Sequence, residues 1–130
     1  MATGISTATA NAMLNAFARG TDYAGNAAVW VKLHTGDPGA NGTANAAGET
    51  TRQQGTWAAA SGGANSNSAD IVWTNVSTSE TYSHISFWTA STSGTFLGSD
   101  DLAVAKAVVA GDTFTIPAGS QTMAITPVAA

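Results

Sequence analysis

The apolar residues near the start of the chain recur with the period of an α-helix. Ser6 or Thr7 can cap a helix at its N-terminus, and Gly20 suits a left-handed stop, so the pattern predicts a helix over about residues 6–19. Because the apolar stripe is narrow and rich in alanine, we expect this helix to lie on another surface, either one end of a sheet or a partner. The stripe follows the spacing i, i+3, i+4, i+7 and consists of Ala10, Met13, Leu14 and Phe17.

From residue 28 onward the chain reads as short β-strands. The first of them places Val29, Val31 and Leu33 on one face and Trp30 and Lys32 on the other. Many short, β-branched segments separated by turn residues are typical of a β-sandwich or small barrel. The predicted strands lie at residues 28–33, 69–74, 81–89, 94–99, 102–110, 112–116 and 121–126.

Some of these strands carry predictions of facing and pairing. In residues 81–89, alternation places Ile85 and Phe87 on one face. The opposite face of that strand then carries Tyr82, His84 and Trp88. The segment ASTSG predicts a hairpin turn before residues 94–99. Residues 112–116 are expected to pair with residues 121–126 across PAGS, with Pro117 and Pro127 at strand ends, where a missing N–H costs little.

These elements fit one domain. The length of 130 residues is typical of a single domain with a substantial core. The predicted fold is mainly β: a single β-sandwich or small barrel of short antiparallel strands over about residues 28–126, with one N-terminal α-helix. Two stretches rich in Gly, Asn and Ser, residues 35–50 and 61–69, are predicted to lack regular structure.

The composition changes the picture of the surface. The chain is 44% hydrophobic and only 9% charged, with a formal net charge of −4, so its surface relies on hydroxyls and amides. Such a surface suits packing beside copies of itself, and we expect a homo-oligomer, a trimer or another ring. The four basic residues are scattered, whereas phosphate binding needs clustered cations, so nucleic acid is not an expected partner.

Cysteine, targeting signals and long apolar runs give three further expectations. The chain has no cysteine, so disulfides and thiolate chemistry are not expected. The N-terminal residues show no basic region followed by an apolar stretch, so we expect no signal peptide. No apolar run approaches the length of a membrane span, so no membrane partner is expected.

The residues that carry chemistry are few. His34 ends the first strand and His84 lies within a later one, but no G-x-S-x-G elbow presents a nucleophile. We interpret His34 as bonding locally in a turn and His84 as lying among aromatic residues on a sheet face. The acidic residues show no calcium-loop spacing. We therefore predict no catalytic residue, no cofactor and no metal.

The four tryptophans, Trp30, Trp57, Trp73 and Trp88, are many for a chain of this size. Trp30 and Trp88 fall on the faces opposite the aliphatic residues of their strands. Our first interpretation is core packing, for instance under the N-terminal helix. The second is packing between subunits, where Trp is enriched. The third is a platform on which sugars stack.

The long connection at residues 35–50 is the most unusual segment. It has few apolar side chains to bury, and its glycines let the backbone follow a neighbouring surface closely. We expect it to be mobile in the free protein and ordered against a neighbouring subunit in an assembly, with Trp57 anchoring its return. The candidate subunit contacts are Asp37, Asn41, Asn45, Trp57, Trp30 and Trp88.

Several segments together carry a family resemblance. The chain resembles a family of small tailed-bacteriophage virion proteins, common in phages of actinobacteria and variously labelled tail fibre, minor tail or minor capsid proteins. The resemblance rests on LHTGDPG at residues 33–39, on the aromatic pair Phe87-Trp88, on GTFLG at residues 94–98 and on residues 110–119. It implies a virion protein without enzyme activity, made in the host bacterial cytoplasm and carried on the virion surface.

Three functions follow from the residues and the resemblance together. The first is a capsid decoration protein that binds the major capsid protein and stabilises the shell. The alternative is a tail fibre or minor tail module that joins a tail protein and binds host surface glycans. The third, from another class, is a small hydrolase.

Overall fold

The computed structural model of the protein describes residues 3–125 and confirms the mainly β prediction. Within these residues one helix precedes eight short antiparallel strands in three sheets, which do not close into a barrel. The elements are α1 Thr7–Arg19, β1 Val29–His34, β2 Gln53–Gly55, β3 Ala64–Ser66, β4 Ile71–Trp73, β5 Glu80–Trp88, β6 Phe96–Val108, β7 Phe114–Ile116 and β8 Thr122–Ala124.

Helix α1 begins and ends as its sequence predicts. Ser6 is the N-terminal cap, and its side-chain oxygen accepts a hydrogen bond from the backbone N–H of Thr9 at 3.2 Å. Gly20 closes the helix in the left-handed conformation, with φ 68°. The two caps explain why the boundaries of this element follow from local sequence.

The apolar stripe of α1 is not covered by the rest of the chain. Leu14 is 63% exposed and Phe17 is 89% exposed, and no residue of the helix is buried. The helix packs against β6. The sheet is thus one of the two surfaces on which the helix was expected to lie. The helix nevertheless leaves Leu14 and Phe17 in solvent.

The main layer is a four-stranded sheet in the order β2-β1-β5-β6. In the central pair, Val31 lies opposite Phe87 and Leu33 lies opposite Ile85. These side chains are buried on one face of the sheet, because strict alternation along both strands directs them to the same side. The predicted hairpin between β5 and β6 is confirmed, with Trp88 paired to Phe96 across the turn.

One predicted facing on β5 is wrong. Tyr82 is fully buried in the core together with Ile85 and Phe87, not on the opposite face. The pairing with β6 is irregular between Tyr82 and His84, where the partners jump from Lys106 to Asp101. Such a bulge breaks the two-residue period, so the strand changes face there.

The second layer consists of two small sheets, and it contradicts the predicted hairpin of residues 112–116 with 121–126. β7 pairs with β4, and β8 pairs with β3. These pairings join residues 45 and 60 positions apart, counted from 71 to 116 for Ile71 with Ile116 and from 64 to 124 for Ala64 with Ala124. Strand β8 is described as far as Ala124, and Pro127 lies outside the described residues.

Three other boundaries differ from the prediction. Residues 61–69, expected to be irregular, contain β3, and residues 53–55 form the edge strand β2. The segments predicted at 94–99 and 102–110 are one long strand, β6. A bulge in β6, rather than a turn, separates its two halves.

The core lies between the two layers. It combines residues of the central strands with the β4–β7 pair, where the Trp73 and Phe114 rings lie 5.7 Å apart and the Tyr82 and Phe114 rings 5.1 Å apart. The buried apolar residues are Val31, Leu33, Ala47, Ile71, Trp73, Val76, Tyr82, Ile85, Phe87, Val108, Phe114 and Ile116. This sandwich leaves the second face of the main sheet to be covered by something else.

Candidate functional site

The face of the main sheet that points away from the core, here called the outer face, brings together two of the predicted contact residues. Trp30 and Trp88 are direct partners across the β1–β5 pair. Trp88 is only 8% exposed, whereas Trp30 is half-buried. The predicted burial on both faces is therefore found at Trp88, but Phe96 and Arg52, rather than α1, lie against its ring.

A hydrogen-bonded chain of three side chains crosses the outer face. Trp88 Nε1 donates to Ser86 Oγ at 2.7 Å, and Ser86 Oγ lies 2.7 Å from His34 Nε2. His34 Nδ1 lies 2.9 Å from the carbonyl oxygen of Ala44, which can only accept. His34 therefore carries its proton on Nδ1, and the Ser86 hydroxyl donates to Nε2.

His34 is held neutral in this position. Its side chain is fully buried, and burial is the main cause that lowers the pKa of His34 from its ordinary value of 6.5. The hydrogen bond to Ala44 raises the pKa and the nearby Lys32 lowers it, but both are smaller effects. The prediction that His34 bonds locally in a turn is only partly right: its ring bonds Ala44 of the following loop, but also Ser86 on the neighbouring strand, 52 positions away.

Residues 35–47, here called the outer-face loop, lie across the outer face of their own sheet. The loop backbone is tied to β1 at both ends, since Thr35 N donates to Asn45 O at 2.9 Å and Ala47 N donates to Leu33 O at 3.1 Å. At its middle, Gly42 lies against the ring of Phe96 so closely that a side chain there would overlap the ring. The loop is thereby fixed at three places.

Internal turns hold the outer-face loop in shape. Asp37 Oδ1 accepts from Gly39 N at 2.8 Å, and Asn45 Nδ2 donates to the Asp37 carbonyl at 2.9 Å. Asn45 has a positive φ of 51°, a conformation that Asn tolerates better than most residues. Asp37 is half-buried, while Asn41 and Asn45 are exposed on the rim of the loop.

The expectation that this loop orders against a neighbouring subunit does not describe the structure. The loop packs on its own chain, with Pro38 and Ala47 buried beneath it. The segment has few apolar side chains that could order it by burial. It is ordered instead by backbone hydrogen bonds to β1 and by the contact of Gly42 with Phe96. No neighbour is needed for this arrangement.

Arg52 completes the cover of the outer face. Its guanidinium carbon lies 4.2 Å from the centre of the Trp88 ring, and Nη1 donates to the carbonyl oxygens of Ala90 at 2.8 Å and Ser93 at 2.7 Å. Burial lowers the pKa of Arg52 from its ordinary value. Because the guanidinium occupies the ring face, Trp88 is not open to a stacking sugar.

Trp57 lies in a different place from the other predicted contact residues. It packs on the core side, edge-on to Phe87 with ring centres 6.0 Å apart, and bridges to Asn67. A side chain at Gly55 would meet the Trp57 ring at 2.6 Å, so glycine is required there. Trp57 thus anchors the chain after the loop, as expected, but it does so within its own domain.

Two carboxylates that sequence reasoning did not single out hold the end of this connection. Glu80 accepts hydrogen bonds from the backbone N–H groups of Gly48 and Glu49, at 2.9 and 3.1 Å. The buried Glu49 accepts in turn from Thr51 N and Ser77 N, at 3.2 and 3.0 Å. The sequence signal for Glu49 and Glu80 as acceptors of backbone N–H groups is weak: each is an isolated glutamate in a chain with few charges.

His84 forms a second polar group, on the exposed part of β5. Its Nδ1 lies 2.8 Å from Ser83 Oγ, and its Nε2 lies 3.2 Å from Asp101 Oδ1. The order Ser–His–Asp resembles a catalytic relay, but Asp101 is 64% exposed and neither groove described below is lined by Ser83 or His84. The arrangement stands on an open surface, whereas a nucleophilic site needs a cleft and oxyanion donors.

Two open grooves mark the body. The larger, about 560 Å³, separates α1 from strands β3, β6 and β8 and is lined by apolar residues including Met13, Tyr23, Leu97 and Met123. The smaller, about 320 Å³, lies between β6 and β7.

Residues 3–125 contain no cluster of three or more His, Cys, Asp or Glu able to hold a metal ion. In the same range no helix has the length and apolar character to cross a membrane.

Comparison with known proteins gives one family. The family model Gp80, described as "Podophage GP4 fiber I protein gp80", matches residues 4–124. The matched range includes α1, every strand of the two layers and the whole outer-face loop. A search of curated proteins found no significant match.

Proposed function

Because the chain belongs to the podophage GP4 fiber I protein family, we propose that it serves as a tail-fibre component of a bacteriophage virion. The membership makes it a virion structural protein, in line with the resemblance drawn from its motifs. The observation that carries the finer proposal is the family description, which names a fibre and applies to nearly the whole chain.

The fibre proposal replaces capsid decoration as the first candidate. Sequence reasoning favoured decoration because a surface with few charges suits broad contact on a shell. The same surface also suits packing of fibre subunits along one another, so it does not separate the two functions. The family description favours the fibre, and decoration of the major capsid protein stays as the second candidate.

We propose the rim of the outer-face loop as a contact surface of the fibre. Asn41 and Asn45 are exposed there, and their amides suit either a tail protein of the same virion or a host-surface sugar. The loop is held rigidly from below by His34 and Phe96, so binding would require little ordering. Trp88 is buried under Arg52 and Trp57 packs on the core side, so neither is proposed as a contact.

Localisation on purified virions tests this proposal. Gold-labelled antibody against the protein, viewed by electron microscopy, is expected to mark the tail and to leave the head unlabelled. Label spread over the head at hundreds of copies would establish decoration instead.

A matched pair of variants tests the contact surface. Asn41→Arg places a long cation on the loop rim, and Asn11→Arg places the same side chain on the exposed face of α1. We expect the first to lower incorporation into virions or adsorption to host cells, and the second to leave both unchanged. Equal behaviour of the two variants would remove the loop rim from the proposal.

A further inference from the structure

The outer edge of β6 is covered along only part of its length. β6 stands at the end of the four-stranded sheet, so one of its edges faces away from β5. Residues 4–6 run along the first part of that edge, where Ser6 N donates to Leu97 O at 2.9 Å and Ser99 N donates to Gly4 O at 2.8 Å. Beyond Asp101, no strand within residues 3–125 pairs with this edge.

The uncovered part of β6, residues 102–107 with the sequence LAVAKA, is mostly apolar, and within residues 3–125 its outer edge has no partner strand. The ladder with β5 skips from Asp101 to Lys106, so residues 102–105 have no partner on the inner edge either. Val104 is 81% exposed, which is far from the usual position of a valine in a strand. An exposed apolar edge of this kind is a template for pairing with another chain.

A groove lies directly beside this edge. It measures about 320 Å³, and residues 102–106 of β6 form one wall while β7 and Pro117 form the other. Within residues 3–125, β7 pairs only with β4, so the other edge of β7 has no partner strand there. A side chain entering from outside would meet Leu102, Phe114 and Ile116.

The order of charges along β6 selects the occupant. Asp100 and Asp101 stand at one end of the uncovered segment and Lys106 stands at the other. Antiparallel pairing of two such segments sets the acidic end of each copy beside the basic end of the other, whereas parallel pairing sets like charges together. Among the described residues no carboxylate forms an ion pair with Lys106. Asp101 contacts His84 Nε2 and accepts from Thr3 Oγ1, both at 3.2 Å and both through Oδ1, so the contact with Lys106 would use Oδ2.

We propose that β6 pairs antiparallel with β6 of a second copy around a twofold axis. Lys106 of each copy lies near Asp101 of the other, and Val104 of each copy enters the groove between β6 and β7 of its neighbour. The contact sets two four-stranded sheets edge to edge at β6. Composition alone favours a trimer or other ring, but an edge whose charges complement themselves in reverse order favours an isologous pair.

Charge reversal tests the pairing in solution, independently of where the protein sits on the virion. Sedimentation velocity of the full-length protein at low salt is expected to show a monomer–dimer equilibrium. K106E and D101K should each weaken the dimer by about tenfold in dissociation constant, because each opposes like charges twice. An equimolar mixture of K106E and D101K should recover the dimer, since both charge pairs are attractive in the mixed species.

Further variants keep the test clear of folding defects. R19E changes charge by the same amount on α1 and should leave the dimer intact. Val104→Glu should abolish the dimer, whereas Val109→Glu, also on an exposed valine but outside the groove, should not. A monomer at all concentrations, a trimer, or a dimer unaffected by both K106E and Val104→Glu would overturn the proposal.

Discussion

His34 and Ser86 are joined across the β1–β5 pair by a hydrogen bond of 2.7 Å, although they are 52 positions apart in the chain. Ser86 also accepts from Trp88, and His34 also bonds the outer-face loop, so this one contact links the sheet to its cover. The link gives the buried His34 a structural role, because it ties β1 to β5 and to the outer-face loop.

Replacing His34 by alanine is expected to destabilise the protein by about 2–3 kcal/mol. The substitution takes away the acceptor of the buried Ser86 hydroxyl proton and the donor to the part-buried Ala44 carbonyl. Each group left unsatisfied costs about 1–3 kcal/mol. His84→Ala is the matched control, because the His84 side chain is 23% exposed and its partner Asp101 is in solvent. Urea denaturation followed by fluorescence measures both changes. An equal loss in the two variants would show that the His34 link contributes nothing special.

The burial of His34 also predicts a dependence of stability on pH. Its pKa in the folded state is lowered from 6.5, so below about pH 6.5 the unfolded chain binds a proton that the folded chain does not. Stability is therefore present in full above that pH and is lost as pH falls toward the lowered folded pKa. Melting temperatures of wild type and His34→Gln are compared between pH 7.5 and 5.5, about one unit either side of the ordinary histidine pKa. The wild type should show a decline that is reduced in the variant.

The sequence predicts some of this fold well, because some of its signals are local. The caps of helix α1 lie within or next to the helix itself. The alternation that predicts β1 and β5 likewise lies within each strand, so no distant residue is needed to recognise these elements. The hairpin predicted between residues 112–116 and 121–126 is wrong, because the true partners of those segments lie far away in the chain. A three-residue strand such as β3 has too few positions to show a period at all.

The outer face was harder to predict, for a related reason. Alternation placed Trp30 and Trp88 on this face, but it gave no sign that Arg52 would stack there, since that contact joins residues 36 positions apart, from 52 to 88. The order of the loop depends on hydrogen bonds between backbone atoms, which carry no residue-type signal. The glycines of the loop correctly predict that its backbone lies close against another surface. The surface was expected to belong to a neighbouring subunit, whereas Gly42 lies against Phe96 of the same chain.

Arg52→Lys is expected to cost about 1–2 kcal/mol of stability although it keeps the charge. Lysine lacks the planar group that stacks on Trp88 and bonds two carbonyl oxygens at once. Arg19→Lys at the exposed end of α1 is the control and should stay within about 0.5 kcal/mol of wild type. The difference between the two variants in urea midpoint measures the stacking and the turn contacts together. Identical midpoints would contradict the assignment.

Gly42→Ala tests whether the outer-face loop rests on Phe96. Gly42 has φ +73°, and a Cβ there would overlap the Phe96 ring, so the substitution combines left-handed strain with a steric clash. Gly62→Ala is the matched control, because Gly62 has φ +61° and open space around it. We expect a cost of about 1–2 kcal/mol for Gly62→Ala from strain alone, and a further cost of about 1–3 kcal/mol for Gly42→Ala from overpacking.

A double-mutant cycle then separates the clash from the strain. Phe96→Ala removes the ring, so in that background Gly42→Ala should cost no more than Gly62→Ala does in the wild type. Thermal unfolding gives the four stabilities. If Gly42→Ala costs the same with and without the Phe96 ring, the loop does not rest on Phe96. The expected coupling between Gly42→Ala and Phe96→Ala would instead show that the outer-face loop is held by its own sheet. A loop that becomes ordered only against a neighbouring subunit would accept a methyl group at Gly42 with no cost beyond backbone strain.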